Sequence, residues 1–441
     1  MAKIAPFRGV RYNPRRFEKL DLTVSLPYDR IKGDLQEEYY RLDEHNIVRI
    51  IKGKAFPGDT ETDNQYTRAR EFYEEWLKEG ILIRDPKPAI YCYSQEFRLP
   101  SGEFATRMAF ITALQLTDYK EGIVLPHERT FSGPKIDRLN LLRATAVNFG
   151  LIFMVYPGDK IGEILAPHLT KQPDIDLYAL GETGVRHTLR VIDDPQTIAA
   201  VQAEMEPKRN LIIADGHHRY ETALAYRDEM RQNISAWEPD MAFNYRMVGL
   251  VSMDDPGLTI LPTHRVMHSL PNWKTAEFLA KAEEFFEVSP VEGKAKLFSK
   301  MARMAAKEHV FGLFDGQGYY LLRLKDEGVM DRFVEASRAR EWKTLDVSIL
   351  HELVIERVLG LNKESVKRQE NINYIRDAEE GIEAVKSGQA QFVFFLSPTK
   401  ISQVKACSGV GEKMPQKSTD FYPKMISGLV MMPVGKGETL G

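Results

Sequence analysis

Apolar and polar positions change their spacing repeatedly along the chain, which predicts a protein built from both helices and strands. Gln65–Gly80 carries apolar residues three and four positions apart, predicting a helix that ends near the glycine. Leu211–Ala214 is a short apolar run and predicts a buried strand, followed by a helix that begins near His217. Asn46–Ile51 is also short and apolar, and it too predicts a strand. Through the middle of the chain the two patterns alternate, which is typical of an α/β core.

The C-terminal part of the chain has mixed patterns of its own. His309–Phe314 and Tyr319–Leu324 are apolar runs on either side of an Asp-Gly-Gln-Gly turn, which predicts a hairpin. Asp346–Leu359 has helical spacing. From these changes we predict an N-terminal α+β region over residues 1–114, an α/β core over residues 115–256 and a C-terminal α+β region over residues 257–441.

The composition narrows the classes of protein. With 60 Lys and Arg against 63 Asp and Glu, the 441-residue chain has a net charge of −3, which argues against a dedicated nucleic-acid binder. Its only cysteines, Cys92 and Cys407, exclude a disulfide framework and a cysteine-based zinc site. The longest apolar runs fall short of the roughly 18 residues that a membrane span needs, and the first residues form no apolar signal segment. We therefore expect a soluble, cytoplasmic protein.

One cluster of polar residues directly follows the predicted strand: Asp215-Gly216-His217-His218-Arg219. A strand, a glycine turn and a helix direct backbone N–H groups and the positive end of the helix dipole at one point, which favours a bound anion. Gly216 permits close approach of a ligand, and the imidazole and guanidinium groups add donors that suit phosphate. Positive residues there oppose the dipole, so helix stability alone does not explain them. The cluster predicts an anion site, and the alternative is a solvated polar cap.

Two further clusters carry weaker signals. His127, Glu128 and Arg129 follow an apolar strand, and a carboxylate between His and Arg is typical either of a general base or of a surface ion pair. Near the C-terminus, Lys417-Ser418-Thr419 can bind phosphate or a small polar substrate, or it can be part of a polar tail. The spacing around it is not that of a P-loop.

These clusters give the chain a resemblance to a known family. The chain looks like a widespread bacterial domain-of-unknown-function family whose members begin with a stretch like Lys3–Gly9. The similarity also covers five further segments: Leu26-Pro27-Tyr28-Asp29, Pro126–Thr130, Ala214–Ala223, Met414–Thr419 and Phe421-Tyr422-Pro423-Lys424. This family name implies no activity.

A more distant resemblance implies one. Free serine kinases, which have a ParB/sulfiredoxin-like domain, carry a Pro-His-Glu element, a strand ending in Asp-Gly-His-His-Arg and a C-terminal Pro-Lys-Thr-Thr run. This chain has Pro126-His127-Glu128, the cluster at Asp215–Arg219 and Pro415–Thr419 in the same order. The resemblance implies a ParB/sulfiredoxin-like phosphate-binding core and a C-terminal tail that returns to the active site, so that all three elements share one cleft.

The resemblance also implies roles, cofactors and partners. The reaction would be transfer of a phosphoryl group from ATP or ADP to a small hydroxyl metabolite, with free serine the leading candidate and Mg²⁺ bridging the phosphates. Glu128 would be the general base, with Asp215 and His218 also catalytic. The other implied roles are phosphate binding by Gly216, His217, His218 and Arg219, substrate binding by His127, Arg129, Lys417, Ser418 and Thr419, and a Mg²⁺ contact by Asp215.

Other readings remain open at this point. The same turn would serve a phosphatase, or a non-catalytic nucleotide-binding switch of the ParB type. A metallohydrolase would use Asp215, His217 and His218 with His127 as ligands of a transition metal, although adjacent residues at a helix start point about 100° apart. A homodimer is left open by the sequence.

Overall fold

The computed structural model describes residues 1–128, 132–271 and 273–440. The α-helices are α1 Leu35–Leu42, α2 Val48–Ile51, α3 Gln65–Lys78, α4 Ser132–Thr145, α5 Lys160–Leu169, α6 Pro195–Met205, α7 His217–Asn233, α8 Thr275–Ala282, α9 Gly293–Met304, α10 Val329–Phe333, α11 Arg340–Lys343, α12 Asp346–Ile349, α13 Lys363–Lys367, α14 Ala378–Lys386 and α15 Ile401–Gly409. Helix α12 continues as a π-helix over Leu350–Val358.

The strands are β1 Ile4–Ala5, β2 Val10–Tyr12, β3 Leu82–Arg84, β4 Ile90–Arg98, β5 Phe104–Gln115, β6 Val124–Pro126, β7 Val147–Asn148, β8 Ile152–Tyr156, β9 Ile175–Tyr178, β10 Arg186–Ile192, β11 Leu211–Asp215, β12 Tyr245–Ser252, β13 Thr259–Leu261, β14 His264–Met267, β15 Phe286–Val291, β16 Val310–Phe314, β17 Tyr319–Leu324, β18 Ile372–Ile375, β19 Phe392–Phe395, β20 Asp420–Tyr422 and β21 Met432–Pro433. The mixed α/β class predicted from the spacing is confirmed. No helix among the described residues is long and apolar enough to cross a bilayer.

The chain divides into two compact units. Unit 1 comprises Met1–Pro126, Thr130–Thr259 and Pro423–Gly441, and unit 2 comprises His127–Arg129 and Ile260–Tyr422. The three-region division drawn from the sequence stays a prediction.

Unit 1 is organised around a nine-stranded mixed sheet. Its strand order is β6-β11-β8-β12-β5-β4-β10-β9, with β1 also paired to β5. Strand β11 runs parallel to β6 and antiparallel to β8, and the register against β8 shifts between Ile213 and Asp215. Such an irregularity bends a strand and redirects its side chains, here at the residue that begins the predicted anion turn. Helix α7 packs on the sheet through Tyr220 and Ala223, which belong to the same apolar core as Ile213.

Unit 2 has a six-stranded antiparallel sheet. The strand order is β15-β17-β16-β19-β14-β18. The predicted hairpin is confirmed: β16 pairs with β17 from Phe314 opposite Tyr319, and the Asp315 carboxylate accepts hydrogen bonds from the Gln317 and Gly318 amides. A short two-stranded sheet, β13 with β20, ends just before the chain returns to unit 1 at Pro423.

The strand predicted over Asn46–Ile51 is wrong, because the segment forms helix α2 over Val48–Ile51. The buried Asn46 side chain accepts a hydrogen bond from the Val48 amide at 2.9 Å and donates to the carbonyls of Leu22 and Val24. Asparagine in this role starts a helical turn by satisfying one of its first N–H groups. Three other local predictions are confirmed. Gln65–Lys78 is helical, Asp346–Val358 is helical throughout, and strand β11 leads into helix α7 at His217.

Candidate phosphate-binding site

A glycine turn joins β11 to α7 in unit 1. Gly216 has a φ of +100° and is the N-cap residue of the 17-residue helix α7. Only glycine adopts this left-handed geometry without strain, and a Cβ here would lie 3.0 Å from the Arg219 Nε. The turn therefore places the positive end of a long helix directly after a buried strand, an arrangement that favours an anion.

Asp215 is the centre of a three-member charge cluster in unit 1. Its Oδ2 accepts a hydrogen bond from Arg219, and its Oδ1 lies 3.3 Å from the Lys424 Nζ. Burial opposes ionisation of the carboxyl group, but the positive charges of Lys424 and Arg219 outweigh it and hold the pKa of Asp215 well below its ordinary value. The carboxylate is thus charged and doubly paired, and it fixes two cations beside the turn.

Lys424 is a functional candidate to which the sequence assigned no role. Its side chain is buried, with 6% of the residue exposed. Its backbone is fixed on both sides, because the Lys424 amide donates to Glu182 and the Lys424 carbonyl accepts from Gln95 at 2.8 Å. Arg107 donates to the adjacent Pro423 carbonyl. The signal in the sequence was the string Phe421-Tyr422-Pro423-Lys424, which belongs to the family resemblance, since 209 positions separate Lys424 from Asp215.

The two histidines occupy the first turn of α7. His217 is buried and His218 is half-buried. Burial lowers the pKa of His218; Glu221 opposes this, while Lys135 and Arg219 add to the lowering. A neutral His218 offers one N–H donor and one acceptor at neutral pH. Arg219, by contrast, is turned back onto the sheet, where its guanidinium donates to Asp215 and to the Leu151 carbonyl.

Asp215 does not fit the role of a direct Mg²⁺ ligand. Each of its two oxygens faces a cation, Arg219 on one side and Lys424 on the other. A divalent ion bound there would have to displace one of these cations or be repelled by both. Across the described residues, no three His, Cys, Asp or Glu side chains are grouped so that they could hold a metal ion.

The second and third sequence clusters come together in unit 2. His127 is fully buried; its Nε2 lies 2.8 Å from the Thr419 Oγ1 and 3.7 Å from the Glu128 Oε1. The Glu128 side chain is 27% exposed, so it combines a fixed neighbour with access to solvent. The Met414 amide also donates to the His127 carbonyl at 2.8 Å. The Pro-His-Glu element and the C-terminal element are therefore adjacent, although nearly 300 positions apart.

The other predicted substrate residues are placed differently. Lys417 is exposed and has a φ of +56°, and its carbonyl accepts a hydrogen bond from the buried Arg265 at 3.1 Å. The Ser418 hydroxyl donates to the Pro415 carbonyl at 2.6 Å, and the Ser418 carbonyl accepts from Thr399. Ser418 therefore stabilises its own loop. Arg129, also predicted to bind substrate, lies outside the described residues.

Comparison with models of known protein families identifies the family of this chain. A family model described as "Protein of unknown function (DUF1015)" matches residues 4–348, so the chain belongs to that family. None of the curated proteins matches it.

Solved structures give more distant likenesses. A conserved hypothetical protein from Pyrococcus furiosus is 14% identical with a TM-score of 0.31, covering 70% of this chain and 92% of that one. A free serine kinase in complex with AMP is 13% identical with a TM-score of 0.32, covering 70% and 89%. SbnI with a C-terminal truncation, from Staphylococcus aureus, is 9% identical with a TM-score of 0.35, covering 74% and 87%.

Proposed function

We propose that this protein is a nucleotide-dependent phosphotransferase that acts on a small hydroxyl metabolite, with ATP or ADP as donor and free serine as the leading acceptor. The observation that carries the proposal is the turn at Asp215–Arg219. A positive-φ glycine there starts a 17-residue helix beside two histidines and the buried cation Lys424. Phosphoryl transfer depends mainly on positioning and on stabilising spread negative charge, and this turn supplies groups of that kind.

In this proposal the turn binds the phosphates. Gly216 allows close approach of the backbone, and His217 and His218 donate hydrogen bonds to phosphate oxygens. Asp215 acts as a positioning residue, because it holds Arg219 and Lys424 in place. No step is assigned to a metal ion at Asp215, since its oxygens already face two cations.

Glu128 is the proposed general base. It is partly exposed and lies next to the buried His127, whose other neighbour is Thr419. A base in this position would accept the proton of the acceptor hydroxyl as the phosphoryl group is transferred. Lys417, Thr419 and Arg129 are the proposed contacts for the acceptor, whereas the Ser418 contribution is to the shape of the loop.

Turnover measured by ³¹P NMR tests the assignment. Purified protein is incubated with ATP or ADP, magnesium salt and free serine or a pool of small hydroxyl metabolites, and a new phosphomonoester signal is expected. Glu128→Gln keeps the size of the side chain but removes the base, and should lower kcat by about 10²–10⁴-fold with nucleotide affinity unchanged. Glu163→Gln, on the exposed surface of α5, is the matched control and should not change turnover.

The outcomes separate the candidate functions. Inorganic phosphate released without any phosphorylated acceptor would indicate a phosphatase. Nucleotide binding without any turnover would indicate a switch module. Full turnover by Glu128→Gln would refute Glu128 as the base.

A further inference from the structure

Three arginines line a pocket in unit 1 that shares only Arg219 with the proposed phosphate turn. The pocket has a cavity volume of about 50 Å³ within about 500 Å³ of space that includes open solvent, and Arg138, Arg219 and Arg246 contribute to its wall. The hydroxyl-bearing residues Tyr28 and Ser427 also line it. Asp215, His217 and His218 do not. The remaining wall is largely apolar, formed by side chains such as Leu141, Leu142 and Phe149.

Arg246 is a buried cation that has no carboxylate partner among the described residues. It is 5% exposed, and its Nη2 donates to the Gly150 carbonyl at 2.6 Å, while its Nε has no hydrogen-bond partner within the described chain. No ion pair to Arg246 is formed by any described residue. Burial, and after it the charge of Arg219, lowers the pKa of Arg246 to about 9. A buried charge that lacks an opposite charge is strongly destabilising, so its surroundings favour an anion.

Neighbouring residues also line this pocket. Arg219 is 8% exposed, and its Nε likewise has no partner among the described residues although its other nitrogens are engaged. A Cβ added at Gly150 would lie 3.4 Å from the Arg219 Nη1 and 3.6 Å from the Ser427 Oγ. The glycine therefore leaves open a gap between a guanidinium and a hydroxyl group. Arg138 stacks on the Tyr28 ring, 4.1 Å from its centre, and pairs with Asp137.

We propose that this pocket binds an oxyanion, a phosphate or carboxylate group carried on an apolar body, with Arg246 and Arg219 as its principal partners. Planar guanidinium groups pair with either oxyanion through two parallel hydrogen bonds. The apolar wall then receives the uncharged part of the ligand. This site goes beyond the proposed phosphoryl transfer, since Arg219 is its only residue from the phosphate turn and it requires neither His217 nor His218 nor Glu128.

Anion-dependent thermal unfolding of the full chain tests the proposal. Inorganic phosphate and butanoate are the probes, each compared with chloride at equal ionic strength. At least one probe should raise the Tm of the wild type in a saturable manner. Arg246→Met should weaken the apparent affinity by about 10–100-fold, as expected for the loss of a charge-assisted contact. Arg186→Met, which loses only the surface pairs with Asp176 and Glu96, is the matched control and should respond like the wild type.

Three further measurements keep the result interpretable. Arg246→Met removes an uncompensated buried charge, so in chloride its Tm should equal or exceed that of the wild type. Arg246→Lys keeps the charge and replaces Arg246→Met if the methionine variant does not fold. It should show a Tm response to the anion that is weaker than that of the wild type. His218→Gln, which changes the phosphate turn, should lose nucleotide affinity and keep the response of the pocket.

Each outcome decides the question. A response to phosphate alone assigns a phosphoryl group, a response to butanoate alone assigns a carboxylate, and a response to both assigns the shared oxyanion chemistry. No response of the wild type to either probe overturns the proposal. A butanoate response that survives Arg246→Met also overturns it, and so does a response to either probe that survives Arg246→Met and vanishes in His218→Gln, because the anion would then bind elsewhere.

Discussion

Replacement of Lys424 by methionine tests whether the charge cluster around Asp215 stabilises unit 1. The Lys424 ammonium lies 3.3 Å from the carboxylate, and their gross attraction is about 5 kcal/mol at an effective dielectric constant of 20. Arg219 still pairs with Asp215 in the variant, and the desolvation cost of the lysine is relieved. The net loss should therefore be that of one charge-assisted hydrogen bond, about 1.5–3 kcal/mol of unfolding free energy.

The assay is a double-mutant cycle of Lys424→Met and Asp215→Asn, followed by urea unfolding. Lys160→Met, which removes an exposed partner of Glu204, is the matched control and should cost less than about 1 kcal/mol. Because the pKa of Asp215 is lowered in the folded state, the stabilisation is fully present above its ordinary value near 3.8. It is lost only as the pH falls below that value. A coupling energy below about 0.5 kcal/mol at pH 7 would refute the pairing.

Two other substitutions have definite expected effects. Gly216→Ala forces a Cβ to within 3.0 Å of the Arg219 Nε at a φ of +100°, and should lower the free energy of unfolding by about 1–3 kcal/mol. Gly437→Ala, where a Cβ meets nothing within 4 Å, is its control in urea titrations. Equal urea midpoints for the two variants would contradict the prediction. His187 is fully buried, and burial followed by the charge of Arg107 lowers its pKa to about 3. Below about pH 6.5 the unfolded chain therefore binds a proton that the folded chain does not. As the pH is lowered, the free energy of unfolding decreases by up to about 1.4 kcal/mol per pH unit. His187→Gln should reduce that slope between pH 6 and pH 5, and an unchanged slope would show that other groups cause it.

The local parts of the fold and site could be predicted from the sequence. The turn at Gly216 is determined by short-range geometry: an apolar strand, then a glycine, then a helix with one buried face. The structure has that turn. Asn46–Ile51 was mistaken for a strand because a side-chain contact, rather than apolar spacing, starts its helix.

The long-range parts could not be predicted from spacing. Lys424 reaches Asp215 only because Gln95, Arg107 and Glu182 hold its segment against the sheet. Arg246 carries no sequence signal at all: it is one residue of a buried strand, and its importance depends on the lack of a carboxylate partner in the described part of the chain. Partners of this kind are set by strand order and register, which one sequence does not reveal.

The most direct test of the phosphate turn is NMR of the protein labelled with ¹⁵N-histidine, titrated with ADP. The signals of His217 and His218 are assigned from His217→Gln and His218→Gln, and those of the buried His187 and His264 serve as internal references. If the turn binds nucleotide phosphates, ADP should shift the His217 and His218 signals in a saturable manner and leave the references in place. Adenosine, which has no phosphate, should shift neither pair. Saturable binding of ADP that leaves His217 and His218 unmoved would contradict the account.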